Sequence, residues 1–148
     1  PVLVLEGIQD PGNLGTMLRT GEGAGIAGIL ADRQTVDRYN PKVVRSTMGS
    51  LYRVPYVVSE DLRESVKTLK KRGFSVYAAH LKGTENYTDI RYPKAGAYLI
   101  GNEGNGLTDE TAQQTDTYVR IPMEGRVESL NAAVAAALLM YEWHRQQA

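Results

Sequence analysis

Six short runs of β-branched and aliphatic residues recur along the chain: Val2–Ile8, Ile26–Ala31, Val54–Ser59, Phe74–Leu81, Ala97–Gly101 and Tyr118–Met123. Between most of them lie segments with helical spacing. Strands that alternate with helices cannot pair as hairpins, because each crossover brings the chain back to the same end of the sheet. The pattern therefore predicts an α/β domain with a mostly parallel sheet and helices on both faces. The run Glu60–Arg72 is the plainest helix, with Leu62, Val66 and Leu69 on one stripe, Ser59 as a candidate cap and Gly73 beyond its end. A last helix from Ser129 to about Arg145 carries two apolar stripes. Leu130, Val134, Leu138 and Tyr141 form one, and Ala132, Ala136, Leu139 and Trp143 form the other. Two faces need two partners, so one is expected on the sheet and the second, alanine-rich one against another copy of the chain.

Composition narrows the chemistry. The 148 residues include no cysteine and two histidines, so thiol nucleophiles, disulfides and thiolate metal sites are excluded, and no metal is expected. Seventeen basic residues balance seventeen acidic ones, which argues against indiscriminate phosphate binding. No run approaches the roughly 20 apolar residues of a membrane span, and a cytoplasmic location without membrane contact is expected. No shift in composition divides the chain, so residues 1–148 read as one domain. Pro1 leads directly into an apolar run, and a substrate-binding region N-terminal to it is expected.

Three glycine-bearing polar segments follow predicted strands, where α/β proteins place their ligands. In Asp10-Pro11-Gly12-Asn13-Leu14-Gly15-Thr16-Met17-Leu18-Arg19, Asn13 is a candidate N-cap, and Arg19 sits on a helix otherwise made of small and apolar residues. The second segment, Gly101-Asn102-Glu103-Gly104-Asn105-Gly106-Leu107, lacks the Lys-Ser/Thr of a phosphate-gripping loop. Glu103 suits a hydroxyl or arginine partner better than a phosphate. The third, Ile121-Pro122-Met123 through Ser129-Leu130-Asn131, offers main-chain donors ahead of a helix that Ser129 is expected to cap.

In order and spacing these segments resemble the three signature motifs of the SpoU (TrmH-like) RNA methyltransferases of the SPOUT superfamily, over nearly the whole chain. The resemblance implies a C-terminal trefoil knot, which periodicity alone would not suggest. It also implies bound S-adenosylmethionine, a homodimer, and 2′-O-methylation of a ribose in ribosomal or transfer RNA, ribosomal RNA being favoured. Carried over residue by residue, Asn13, Arg19, Glu103, Ser129 and Asn131 become the catalytic set, and Leu81, Gly101, Ile121 and Leu130 the cofactor contacts. Gly101 would admit the cofactor close to the backbone. A guanidinium is a poor base, so Arg19 is expected to act electrostatically. The stretch from Tyr39 to Arg53 also resembles the family, and Lys42, Arg45 and Arg53, with Arg19, are expected to contact RNA. Competing readings are a catalytically silent RNA-binding or dimerisation module and an enzyme that methylates a base.

Overall fold

The computed structural model describes residues 1–147. Its elements are β1 (Val2–Leu5), α1 (Pro11–Ala24), β2 (Gly28–Ala31), α2 (Pro41–Ser46), β3 (Tyr56–Val58), α3 (Leu62–Lys71), β4 (Ser75–Ala79), β5 (Glu85–Asn86), β6 (Gly96–Ile100), α4 (Asp109–Ala112), β7 (Thr117–Arg120) and α5 (Ala132–Gln147), with a 3-10 turn at Ser50–Tyr52. The strands form one sheet in the order β3-β2-β1-β6-β4-β7-β5, and every pair is parallel. The α/β expectation holds.

Successive residues of the central strands feed opposite faces, as the two-residue period requires. Leu3, Leu5, Tyr98 and Ile100 face a larger core shared with Leu14, Met17 and Leu18 of α1, Val43 of α2 and Leu139 and Met140 of α5. Val4, Val76, Ala78, Ala97 and Leu99 face a smaller one closed by Leu62 and Val66 of α3. Burial on both sides explains why these strands read as unbroken apolar runs.

Local details depart from the sequence reading at three caps. Helix α1 begins at Pro11, and its cap is Asp10, whose carboxylate accepts the N–H groups of Gly12 and Asn13. Asn13 therefore lies inside the first turn, and its side chain is released for other bonds. Helix α3 is capped by Asp61, while Ser59 is buried and shares a 2.6 Å hydrogen bond with Ser65. Helix α5 is capped by Asn131, which accepts from Ala133 N–H at 2.8 Å and Val134 N–H at 3.2 Å, and Ser129 remains in the loop before it.

The two stripes of α5 are assigned the opposite way from the expectation. Ala136 and Leu139 are fully buried against the larger core, whereas Val134 and Tyr141 are 48% and 45% exposed. Alanines suit the inner face because α5 packs closely on α1, and a helix backbone can approach a neighbour only where side chains are short. The face left open is the one with Val134, Leu138 and Tyr141.

Candidate active site

In an open parallel sheet the ligand site forms beyond the carboxyl ends of the strands, where strand order reverses. Here the reversal falls between β1 and β6, central neighbours far apart in sequence. The loop after β1 leads into α1, and the loop after β6 carries Asn102 and Glu103. Between them opens a cleft of about 540 Å³ whose walls include Gln9, Asp10, Asn13, Glu103, Ser129 and Asn131.

Its floor is a hydrogen-bonded chain. Glu103 Oε1 accepts the Gln9 N–H at 3.1 Å, and Oε2 accepts the Asp10 N–H at 2.9 Å and Asn13 Nδ2 at 3.1 Å. Asn13 Oδ1 in turn accepts from Asn131 Nδ2 at 3.0 Å. Each amide is thereby oriented: Asn13 donates to the carboxylate and accepts from Asn131, whose own oxygen is committed to the α5 cap. Partial burial acts to raise the Glu103 pKa, but the hydrogen bonds from Asp10, Asn13 and Gln9 outweigh it and hold the carboxyl below its ordinary value. The group is a fixed anion and acceptor.

The Glu103 loop is shaped by a residue the sequence reading passed over. Asn102 Oδ1 accepts the N–H groups of Gly104 and Asn105 at 2.9 and 3.0 Å, and Nδ2 donates to Gly7 O at 2.7 Å. An asparagine followed by Glu-Gly-Asn-Gly is a signal for such a side-chain turn. Main-chain bonds between Asn102 and Gly106 close the loop on itself. A Cβ at Gly101 would collide with the backbone of Gly106 and Leu107. Glycine at 101 is thus demanded by the loop's own return, a reason separate from the cofactor approach expected from sequence.

The other expected residues are distributed as follows. Gly101, Ile121 and Leu81 follow the carboxyl ends of β6, β7 and β4, three adjacent strands, and Leu81 is 73% exposed. Leu130 joins Ser129 and Asn131 at the cleft. Among the described residues, the main chain from 121 to 130 makes no hydrogen bond to another part of the chain beyond its own turn at Gly125 and Arg126, so most of its donors and acceptors are open to a ligand. Arg19 is exposed and does not line the cleft. It lies about 120° around and about 9 Å along α1 from Asn13, and Glu103 is engaged by other partners. Lys42 and Arg45 are exposed on α2. Arg53 is held in an ion pair by Glu22.

The sequence profile of the SpoU rRNA Methylase family matches residues 1–141. The chain belongs to this family. It is 41% identical over 140 residues to the 23S rRNA (guanosine(2553)-2′-O)-methyltransferase RlmP of Bacillus subtilis, covering 95% of this chain and 56% of that protein. An AdoMet-bound rRNA methyltransferase from Sinorhizobium meliloti superposes with a TM-score of 0.93 at 35% identity, over 99% of this chain and 56% of that one. The SpoU methyltransferase AviRb from Streptomyces viridochromogenes, also solved with AdoMet, superposes with a TM-score of 0.92 at 32% identity, over 99% and 57%. The chain thus spans a little over half the length of these relatives. Among the described residues, no helix is long and apolar enough to cross a membrane and no group of three or more metal-ligating side chains occurs.

Proposed function

We propose that the chain is the methyl-transfer domain of an enzyme that uses S-adenosylmethionine to methylate a ribose 2′-hydroxyl of RNA, with ribosomal RNA as the substrate. The observation that carries this reading is the Glu103–Asn13–Asn131 chain, in which side chains from all three family motifs meet through two hydrogen bonds. A catalytically silent module has no use for that arrangement. The 41% identity to a protein named as a 23S rRNA 2′-O-methyltransferase favours ribose over base and ribosomal over transfer RNA.

The open main chain from 121 to 130 fits the polar edges of an adenosine, with Ile121 and Leu130 as its contacts and the neighbouring ends of β4 and β6, at Leu81 and Gly101, closing the site. When bound, S-adenosylmethionine supplies an electrophilic sulfonium methyl group. Asn13, Ser129 and Asn131 orient the ribose through amide and hydroxyl groups, and the Glu103 carboxylate fixes Asn13. Arg19 stabilises the oxyanion that develops as the 2′-hydroxyl loses its proton, because a guanidinium holds its own proton too tightly to serve as the base.

Arg19 stands outside the lining of its own chain's cleft, which supports a homodimer in which it serves the partner's site. The open Val134, Leu138 and Tyr141 face of α5 is the proposed interface. A C-terminal trefoil knot belongs to the same reading. In its support, β7 lies inside the sheet between β4 and the earlier-made β5, and the chain from β7 then returns to Asn13. A cytoplasmic location and a substrate-binding region N-terminal to this domain complete it. Methylation of an unmodified 23S rRNA transcript with labelled S-adenosylmethionine, followed by nuclease digestion to separate ribose from base products, tests the assignment. Label recovered in a methylated base, or none in RNA despite cofactor binding, would refute it.

A further inference from the structure

The segment between α2 and β3 is tied down as a strap along α1. A Cβ on Gly15 would run into Ser46 Oγ. Two turns on, Glu22 accepts hydrogen bonds from Ser50 Oγ at 2.7 Å and Arg53 Nη2 at 2.9 Å. Positions 15, 19 and 22 lie within about 60° of one another around a helix. The strap therefore passes beside Arg19.

Between its anchors, Met48 adopts a φ of 54°, the only positive φ of a non-glycine residue among those described. Such backbone is strained and persists only where its surroundings enforce it. Fully buried Thr47 on one side and Arg53 Nη2, 3.4 Å from the Met48 carbonyl, on the other do so. The outcome is that Met48 and Tyr52 stand 69% and 76% exposed on a fixed support. Arg19 on the adjoining turn of α1 and Lys42 and Arg45 on α2, which leads into the strap, are exposed and form no ion pair among the described residues. The charge of Glu22 is answered by Arg53.

We propose that Met48 and Tyr52 form a stacking ledge for an unpaired RNA base beside the target nucleotide, and that Glu22 and Arg53 are positioning residues that hold the ledge next to Arg19. Aromatic faces flanked by cations are how proteins hold single-stranded RNA, the bases stacking and the phosphates pairing. The inference rests on the RNA-methyltransferase reading. It gives Arg53 a different part from the direct RNA contact expected from sequence, because its guanidinium is committed to Glu22 and the strap.

The test uses the full-length protein and an unmodified 23S rRNA transcript, with filter binding and steady-state methylation in parallel. Tyr52→Ala is expected to weaken RNA binding about tenfold, the scale of one base–aromatic stack, with the kinetic loss carried mainly by KM. Tyr52→Phe is expected to restore it. Cofactor affinity by calorimetry and oligomeric state by light scattering stay as in wild type. Glu22→Gln distinguishes the two parts for Arg53 by sign. A positioning role weakens RNA binding when the clamp loosens, whereas a freed Arg53 contacting RNA directly would strengthen it and overturn the proposal. Unchanged binding in both Tyr52→Ala and Met48→Gly, no binding of the transcript by wild type, or conversion of Tyr52→Ala to monomers would also overturn it. The last result would assign the ledge to a second copy of the chain. If wild type binds RNA but transfers no methyl group, the enzymatic reading fails, and the filter-binding series still decides the ledge.

Discussion

The side chains of Asn13 and Asn131, separated by 118 positions in sequence, are joined by a 3.0 Å hydrogen bond. Asn131 does two things at once: its oxygen caps α5, and its amide nitrogen orients Asn13. Aspartate in its place keeps the first function and cancels the second, since a carboxylate has no proton for Asn13 Oδ1. Asn131→Asp is therefore expected to unfold within about 0.5 kcal/mol of wild type, while Asn131→Ala loses about 1 kcal/mol with the cap. Single-turnover methylation should fall tenfold or more in both, on the scale of an unsatisfied polar group of roughly 1–3 kcal/mol. Urea denaturation and rapid-quench transfer check the two halves separately.

Glu103 should link stability to pH in a defined direction. Its folded pKa lies below the ordinary value of 4.5, so the ionised carboxylate contributes stability that is fully present above the unfolded pKa and lost as pH falls through the folded one. The difference in unfolding free energy between wild type and Glu103→Gln is expected to be constant at neutral pH and to shrink below about pH 4. A difference that grows on acidification would mean that the carboxylate is destabilised in the fold.

If Arg19 serves the partner's cleft, two inactive variants should complement one another. Arg19→Ala and Asn13→Ala homodimers are each expected to be inactive. A mixed dimer assembles one site with both wild-type residues, and random reassortment of equal amounts makes about half the dimers mixed. Methyl transfer near a quarter of the wild-type rate should then appear on mixing. No recovery would assign both residues to one chain. Arg19→Lys should lose about 100-fold in transfer with cofactor affinity unmoved, as expected when a preorganised donor is removed.

The open face of α5 gives a contrast between two substitutions on one helix. Val134→Glu, at a position 48% exposed, is expected to yield folded monomers by light scattering and circular dichroism. Ala136→Glu buries a charge at a fully covered position and is expected to cost several kcal/mol and abolish folding. Dimers that persist in Val134→Glu would place the interface elsewhere.

What could be read from sequence was decided by how completely an element's side chains are used. Strands β1, β4 and β6 are buried on both faces and announce themselves as apolar runs, whereas β5, the polar pair Glu85–Asn86 at the sheet edge, carries no such mark. The cap of α1 was legible in principle: Asp10 is followed by Pro11, and proline at the first helical position points to the residue before it rather than to Asn13. No comparable signal orders the stripes of α5, a helix apolar on two sides, because which one turns inward depends on how closely α1 approaches. The motifs were visible as patterns. Their convergence was not, since it follows from β6 pairing with β1 rather than with its neighbours in sequence.

That pairing also bears on how the protein is made. β1 leaves the ribosome before the rest of its sheet, but its second neighbour is β6, some 95 residues later by their register of Val2 with Ala97. The cleft then waits for Asn131, 118 positions after its partner Asn13. Most partnerships in this sheet are distant ones, and such topologies fold slowly. A nascent chain can satisfy α1 locally but holds an incomplete site throughout synthesis. Activity should therefore appear in a single late step, and chains cut short before α5 should accumulate as folding intermediates for proteases and chaperones rather than as weak enzymes.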